Sequence, residues 1–237
     1  VRIATASGAI TASAAVTIEA GKTPGLSLAV YTEGMPTHEV KQFWPWFAAS
    51  GARQWVLENL FGGRVVEGNL RLRVPPGRFG NGKPLDNDEV SGAFEVADAR
   101  FDIAGRIPPV RDAVGRVGFR GADIDIGIEA GTVFMPSGRK VAASKGTLTV
   151  RDAHVKPRIG KLEIDVAGRA PAIVELASYE PIDVSDRIDL GPEDVTGDVK
   201  GHVKADIPLS DGIPRESLGW QATLEYENLS IAKPFDG

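Results

Sequence analysis

The chain has 237 residues, a formal charge of −5 and no cysteine. It is long enough to bury a sizeable core, but it lacks the net basic surface that nucleic-acid phosphates need and cannot form a disulfide framework or a thiolate metal site. The 28 glycines and 16 prolines suit a fold with many turns, and 42% hydrophobic and 25% charged residues are ordinary for a folded chain.

Residues 1–34 read as three strands, at 1–7, 12–20 and 26–32, separated by Gly8 and by the turn at 21–25. Val16 and Ile18, then Leu26, Leu28 and Val30, each share a face, which predicts a sheet apolar on one side. No run is long and apolar enough for a transmembrane helix, and the start lacks the basic flank and apolar core of a signal peptide. Because the chain opens on Val1, it is expected to be a piece of a longer protein whose targeting segment lies elsewhere.

The stretch 35–63 is the strongest helical signal, and it carries six of the sixteen aromatic residues: Phe43, Trp44, Trp46, Phe47, Trp55 and Phe61. Two short helices are expected. Thr37 is the N-cap of the first, whose apolar residues Val40, Phe43, Trp44 and Phe47 recur at helical spacing. Pro45 kinks or restarts the helix, Ser50 and Gly51 offer a further break, and Ala52, Trp55, Val56 and Leu60 form the second stripe before Gly62 and Gly63 stop it. Such a hairpin either caps the end of a β-structure or faces a membrane.

Residues 64–237 read as repeated β-hairpins. In 64–74, Leu70, Leu72 and Val74 fall on one face and Arg71 and Arg73 on the other. The Gly/Pro-rich loop that follows places Gly77, Gly82 and Lys83 as in a phosphate loop, but Pro84 stands where Ser or Thr is required and no helix follows, so a plain turn is expected. A device then recurs: two apolar residues two apart, a five-residue step, and two more. Phe94, Val96, Phe101 and Ile103 form the first copy, and Val117, Phe119, Ile124 and Ile126 the second. Leu148, Val150 and Val155 begin a third, and Ala222, Leu224, Leu229 and Ile231 make a fourth. An odd step moves a strand to its other face, so each copy needs a bulge or tight bend at the small and polar residues between. A strand at 161–167, a short helix at 171–179 opened by Pro171, and a strand at 195–208 bearing Val199, Val203 and Ile207 complete the pattern.

Catalytic chemistry finds little to stand on. His38, His154 and His202 lack metal-ligand spacing, the acidic pairs Asp86/Asp88 and Asp123/Asp125 have no partner group, and no nucleophile elbow is present. A non-enzymatic protein without metal or cofactor is expected.

Four stretches carry a resemblance: GARQWVLENLFGGRVVEGNLRL at 51–72, IPPVRDAVGRVGFRGADIDI at 107–126, GRAPAIVELASYEPI at 168–182 and KADIPLS at 204–210. In these the chain resembles the AsmA-like envelope proteins of Gram-negative bacteria, in particular their large YhdP-type members. The resemblance implies a mainly β fold, an elongated, curved antiparallel β-sheet forming a groove, anchored in the inner membrane by a segment outside this chain. It also implies a periplasmic location, phospholipid acyl chains as cargo on the way to the outer membrane, and other envelope proteins as further partners. No catalytic residues come with it.

On this reading Phe94, Val96, Phe101, Ile103, Val117, Phe119, Ile124, Ile126, Leu148 and Val150 are the groove residues. Each buried methylene would contribute about 0.8 kcal/mol, so two acyl chains need no charged site. Arg71 and Arg73 are either a solvated outer face or a rim that meets lipid phosphates. The apolar residues either line an open groove or close into the core of a structural module of the cell envelope.

Overall fold

A computed structural model describes residues 1–44, 50–102, 106–180, 182–184, 189–209 and 219–232, with the side chains of 50–52 and 55 left aside. Twelve strands form one open sheet. They are β1 (Arg2–Ala4), β2 (Ala9–Thr17), β3 (Gly25–Pro36), β4 (Leu60–Phe61), β5 (Arg64–Val74), β6 (Val90–Phe101), β7 (Val110–Arg120), β8 (Asp123–Phe134), β9 (Lys140–Val150), β10 (Ile159–Arg169), β11 (Val195–Pro208) and β12 (Gly219–Ile231). Every neighbouring pair is antiparallel, and the order follows the chain, with β4 off the main path beside β6. The mainly β, antiparallel sheet expected from the sequence is present.

Among the described residues three α-helices interrupt the meander: α1 (Thr37–Phe43) and α2 (Ser50–Asn59) between β3 and β5, and α3 (Ala170–Ala177) between β10 and β11. β3 pairs directly with β5, so the helical stretch is an insertion into one continuous sheet. Gly62 and Gly63, expected to stop the second helix, do not: α2 ends at Asn59, β4 follows, and the two glycines, both with positive φ, turn the chain from β4 into β5. Gly63 has a second reason to be glycine, since a Cβ there would come within 2.3 Å of the Ala97 carbonyl.

The helix start differs from expectation. Pro36 is the N-cap and Thr37 the first helical residue, with its hydroxyl buried and unpartnered, so it does not cap. α1 ends at Phe43, and Trp44 is extended (φ −71°, ψ 115°), the conformation forced on a residue that precedes proline. Phe43 is consequently off the packed face, while Trp44 is buried with Val40. Pro45, Trp46 and Phe47 lie outside the described residues. Gly51 does not break the second helix, which begins at Ser50. Pro171 opens α3 as its spacing predicts.

Alternation sets the two faces. Along the register Leu28, Leu72 and Val90 are neighbours, as are Phe119, Ile124 and Val150, so one apolar face runs from strand to strand. The other face carries cross-strand ion pairs: Arg116 with Glu95, Arg169 with Asp198 at 3.1 Å, and Lys204 with Glu163 at 3.0 Å. A flat sheet would leave its apolar face wet. Here Met35, Val110 and Val141 have no exposed surface, because the sheet bends toward the helices.

The bend has a local cause. Register breaks fall at neighbouring positions on successive strands: beside Val66 in β5, Ala97 and Asp98 in β6, Glu129 in β8 and Lys145 in β9. Asp98 and Lys145 adopt positive φ there. Extra residues aligned across a sheet increase its twist and crease it along a line. The small polar residues of the repeated device therefore do two jobs. In the first and fourth copies they form bulges, at Asp98 and Asn228, whereas Gly121–Ala122 and Asp152 make turns after β7 and β9.

Candidate functional site: the apolar inner face

The sequence-derived residues assemble into one patch. Phe94 pairs with Val117, which pairs with Ile126, which pairs with Leu148; Phe119, Ile124 and Val150 form the parallel row. Val96 lies beside Gly115 and Phe101 beside Val110. Ile103 is outside the described residues. Phe94 and Leu148 are half-buried, and the other seven described candidates are 1–7% exposed. This central face is packed, not open.

Over Phe94 and Phe119 the cover is Trp44, the residue just past the end of α1. Gly68 lies opposite Phe94 and Gly92 opposite Phe119. The two rings lie over these glycines so closely that a Cβ would meet them at 2.5 Å and 2.6 Å respectively. Trp44 then stacks on both rings, with centroids 5.3 Å from Phe94 and 5.4 Å from Phe119, in the range where offset stacking is favourable. Sequence reading put Trp44 in an aromatic cluster, but it missed Gly68 and Gly92, whose only signal is a glycine facing inward in an otherwise alternating strand.

α1 is fastened by polar contacts at its ends. The Lys41 ammonium donates to the carbonyls of Leu57, at 3.3 Å, and Leu60, at the C-terminal end of α2, where helix carbonyls lack partners. It also sits 4.8 Å from the centre of the Phe61 ring, and its burial draws its pKa below the usual lysine range. Arg53 donates to the Trp44 carbonyl at 3.2 Å. α3 is held similarly: Glu175 accepts from Ser137 at 2.6 Å and pairs with Arg139 at 2.8 Å. Burial alone would raise the Glu175 pKa, but these donors outweigh it and hold the carboxyl below its ordinary value.

Little room is left beneath α1. One cavity of about 20 Å³ lies among Val40, Trp44, Val65 and Val117, and another of about 30 Å³ among Ile10, Thr32, Val40 and Phe94. Each suffices for about one water, whereas small-molecule pockets run to about 300 Å³ or more. The hydroxyls of Thr32 and Thr37 are buried beside these spaces without a hydrogen-bond partner among the described residues.

The face opens toward the last strands. Leu162, Val203 and Ala205 are half-buried, Leu224 is 52% exposed and Tyr226 is 65% exposed. By register Leu162, Ala205 and Trp220 adjoin one another, as do Val199 and Tyr226, so the open part continues the packed one. At the opposite edge Val16, paired with Leu26, is also exposed.

Arg71 and Arg73 alternate with the buried Leu70, Leu72 and Val74 and project from the opposite, solvated face. A side chain reaching from the outer face does not line the inner one, and neither arginine forms an ion pair among the described residues. The loop after β5 is built around Arg78, which donates to Glu89 at 2.7 Å, to Asn81 at 2.8 Å and to the Lys83 and Pro84 carbonyls. Its Phe79 and Leu85 pack on the core, consistent with a structural loop.

Asp125 is paired with Arg151 at 2.6 Å, Asp123 accepts from the Asp152 amide, and Asp86 lies 3.6 Å from Arg78. His202 Nδ1 lies 2.8 Å from Asp165, and the hydrogen bond to His202, with Lys145 nearby, holds that carboxyl below its usual pKa. Among the described residues no group of three acidic, histidine or cysteine side chains could hold a metal, and no helix is long and apolar enough to cross a membrane. No family model matches the chain, and neither a curated protein nor a solved structure matches it.

Proposed function

We propose that the chain is a non-enzymatic segment of a periplasmic, AsmA-like envelope protein, and that it carries phospholipid with the acyl chains along its apolar sheet face. The observation that carries this reading is the continuity of that face: Phe94, Val117, Ile126, Leu148, Leu162, Ala205 and Trp220 follow one another in register across β6 to β12, with Leu224 and Tyr226 on the same side of β12. It ends on exposed leucine and tyrosine, not on a polar edge. A surface of this kind holds hydrocarbon through area alone and discriminates weakly between lipids. The exposed part at β10 to β12 is where acyl chains are accommodated as the fold stands.

A second reading is favoured by a different observation. The packed centre, with cavities of only about 20 and 30 Å³, suits a structural or interaction module of the cell envelope whose partners are proteins. Native mass spectrometry with lipid extraction, on the chain purified from a bacterial host, separates the two. Phospholipid in defined stoichiometry, lost on Leu224→Asp and Tyr226→Asp without a change in melting, is the outcome expected of the lipid reading. A folded chain that carries no lipid and takes none up from phosphatidylglycerol vesicles would favour the envelope module.

A further inference from the structure

We propose that helix α1 is an exchangeable plug: Trp44 fills a seat on the sheet that an acyl chain takes in its turn, and Lys41 is the latch that holds the plug in place. This rests on the lipid reading above. The seat has a floor of Gly68 and Gly92, which Phe94 and Phe119 approach more closely than a Cβ would allow, and Trp44 enters it by ring stacking. Flat apolar walls of this kind accept a methylene chain as readily as an indole.

The plug is held lightly for an element so deeply placed. α1 has seven residues, too few to be stable alone, and no side chain caps its N-terminus. Among the described residues its buried apolar anchor is Val40, with Trp44 just past its end, while Phe43 is 45% exposed. The two cavities border it, as do the hydroxyls of Thr32 and Thr37, which have no hydrogen-bond partner among the described residues. Against this stands Lys41, whose bonds to the Leu57 and Leu60 carbonyls tie α1 to the end of α2. When α1 lifts, those bonds break and the ammonium returns to water. The device thus has two discrete states, one closed by protein and one filled by lipid.

The test uses the whole chain with palmitoyl lysophosphatidylethanolamine, a single-chain probe. Hydrogen exchange followed by mass spectrometry is read at residues 37–43. Saturating probe is expected to speed exchange there by about tenfold or more, while β6 and β7 stay protected. Lys41→Met, which keeps the stem and loses the donors, is expected to lower the probe Kd by about tenfold, since it raises the fraction of chains with an open seat. Probe binding with unchanged or greater protection of 37–43 overturns the plug and leaves the lipid reading standing, as does an unchanged Kd in Lys41→Met. If neither chain binds the probe, both readings fall. Should Lys41→Met not fold, the exchange measurement on the parent chain decides alone.

Discussion

The same apolar face meets two different fates along one sheet. Beneath α1, Phe119 is 4% exposed and pressed between Gly92 and Trp44; on β12, Tyr226 occupies an equivalent inward position and is 65% exposed. Strand geometry is alike in both places, since each residue sits in a paired antiparallel strand on the inward side. The difference lies in what is laid over the face. Trp44 covers the centre, and α3 packs on the Val195 and Val199 end of β11 and, through Ala172, Ile173 and Leu176, on the main core. A one-sided sheet thus becomes a core or a surface according to its cover, and period-2 alternation does not distinguish them.

The largest contrast comes from placing the same charge at both sites. Phe119→Asp puts a carboxylate under an indole with no donor at hand, and is expected to cost more than about 4 kcal/mol or prevent folding. Tyr226→Asp is expected to stay within about 0.5 kcal/mol of the parent in urea denaturation. Equal costs would show that β12 is covered in solution.

A smaller contrast sits at the turn between β4 and β5. Gly62 and Gly63 both have positive φ, but a Cβ at Gly62 meets nothing within 4 Å, whereas one at Gly63 strikes the bulge carbonyl of Ala97. Gly62→Ala is expected to cost about 1 kcal/mol and Gly63→Ala at least about twice that, in the same denaturation assay. Similar values would mean that the crease does not depend on that close approach.

The clamp on α3 gives a pH signature. The folded Glu175 pKa lies below its unfolded value, so its contribution is present above the unfolded value and is lost as pH falls through the folded one. Glu175→Gln is therefore expected to melt below the parent at neutral pH, with the gap narrowing on acidification. A gap independent of pH would assign the loss to packing. The smallest effect belongs to the outer face: Arg71→Glu with Arg73→Glu is expected to leave stability within about 0.5 kcal/mol and lipid content unchanged. A loss of bound lipid would return those arginines to the site.

Much of the sheet was legible. Leu70, Leu72 and Val74 alternating with arginines read as a one-sided strand, and the recurring apolar pairs identified neighbours that the register brings together. Less visible were Met35, Val110, Val133 and Val141, among the most buried residues, because Gly, Ala, Thr and Ser dilute the alternation around them. The Thr37 cap failed for a local reason: Pro36, with φ fixed near the value an N-cap tolerates, took that position one residue earlier.

By itself the sequence determined the β class, the assignment of inward and outward residues, and the places where strands bend. These depend on neighbours a few residues away. Only the tertiary structure decided which stretch of the inward face is core and which is open. That choice depends on Trp44, just past the end of α1, which reaches from beside β3 and β5 to stack on Phe94 of β6 and Phe119 of β7, a contact between residues distant in the chain whose energy no local pattern encodes.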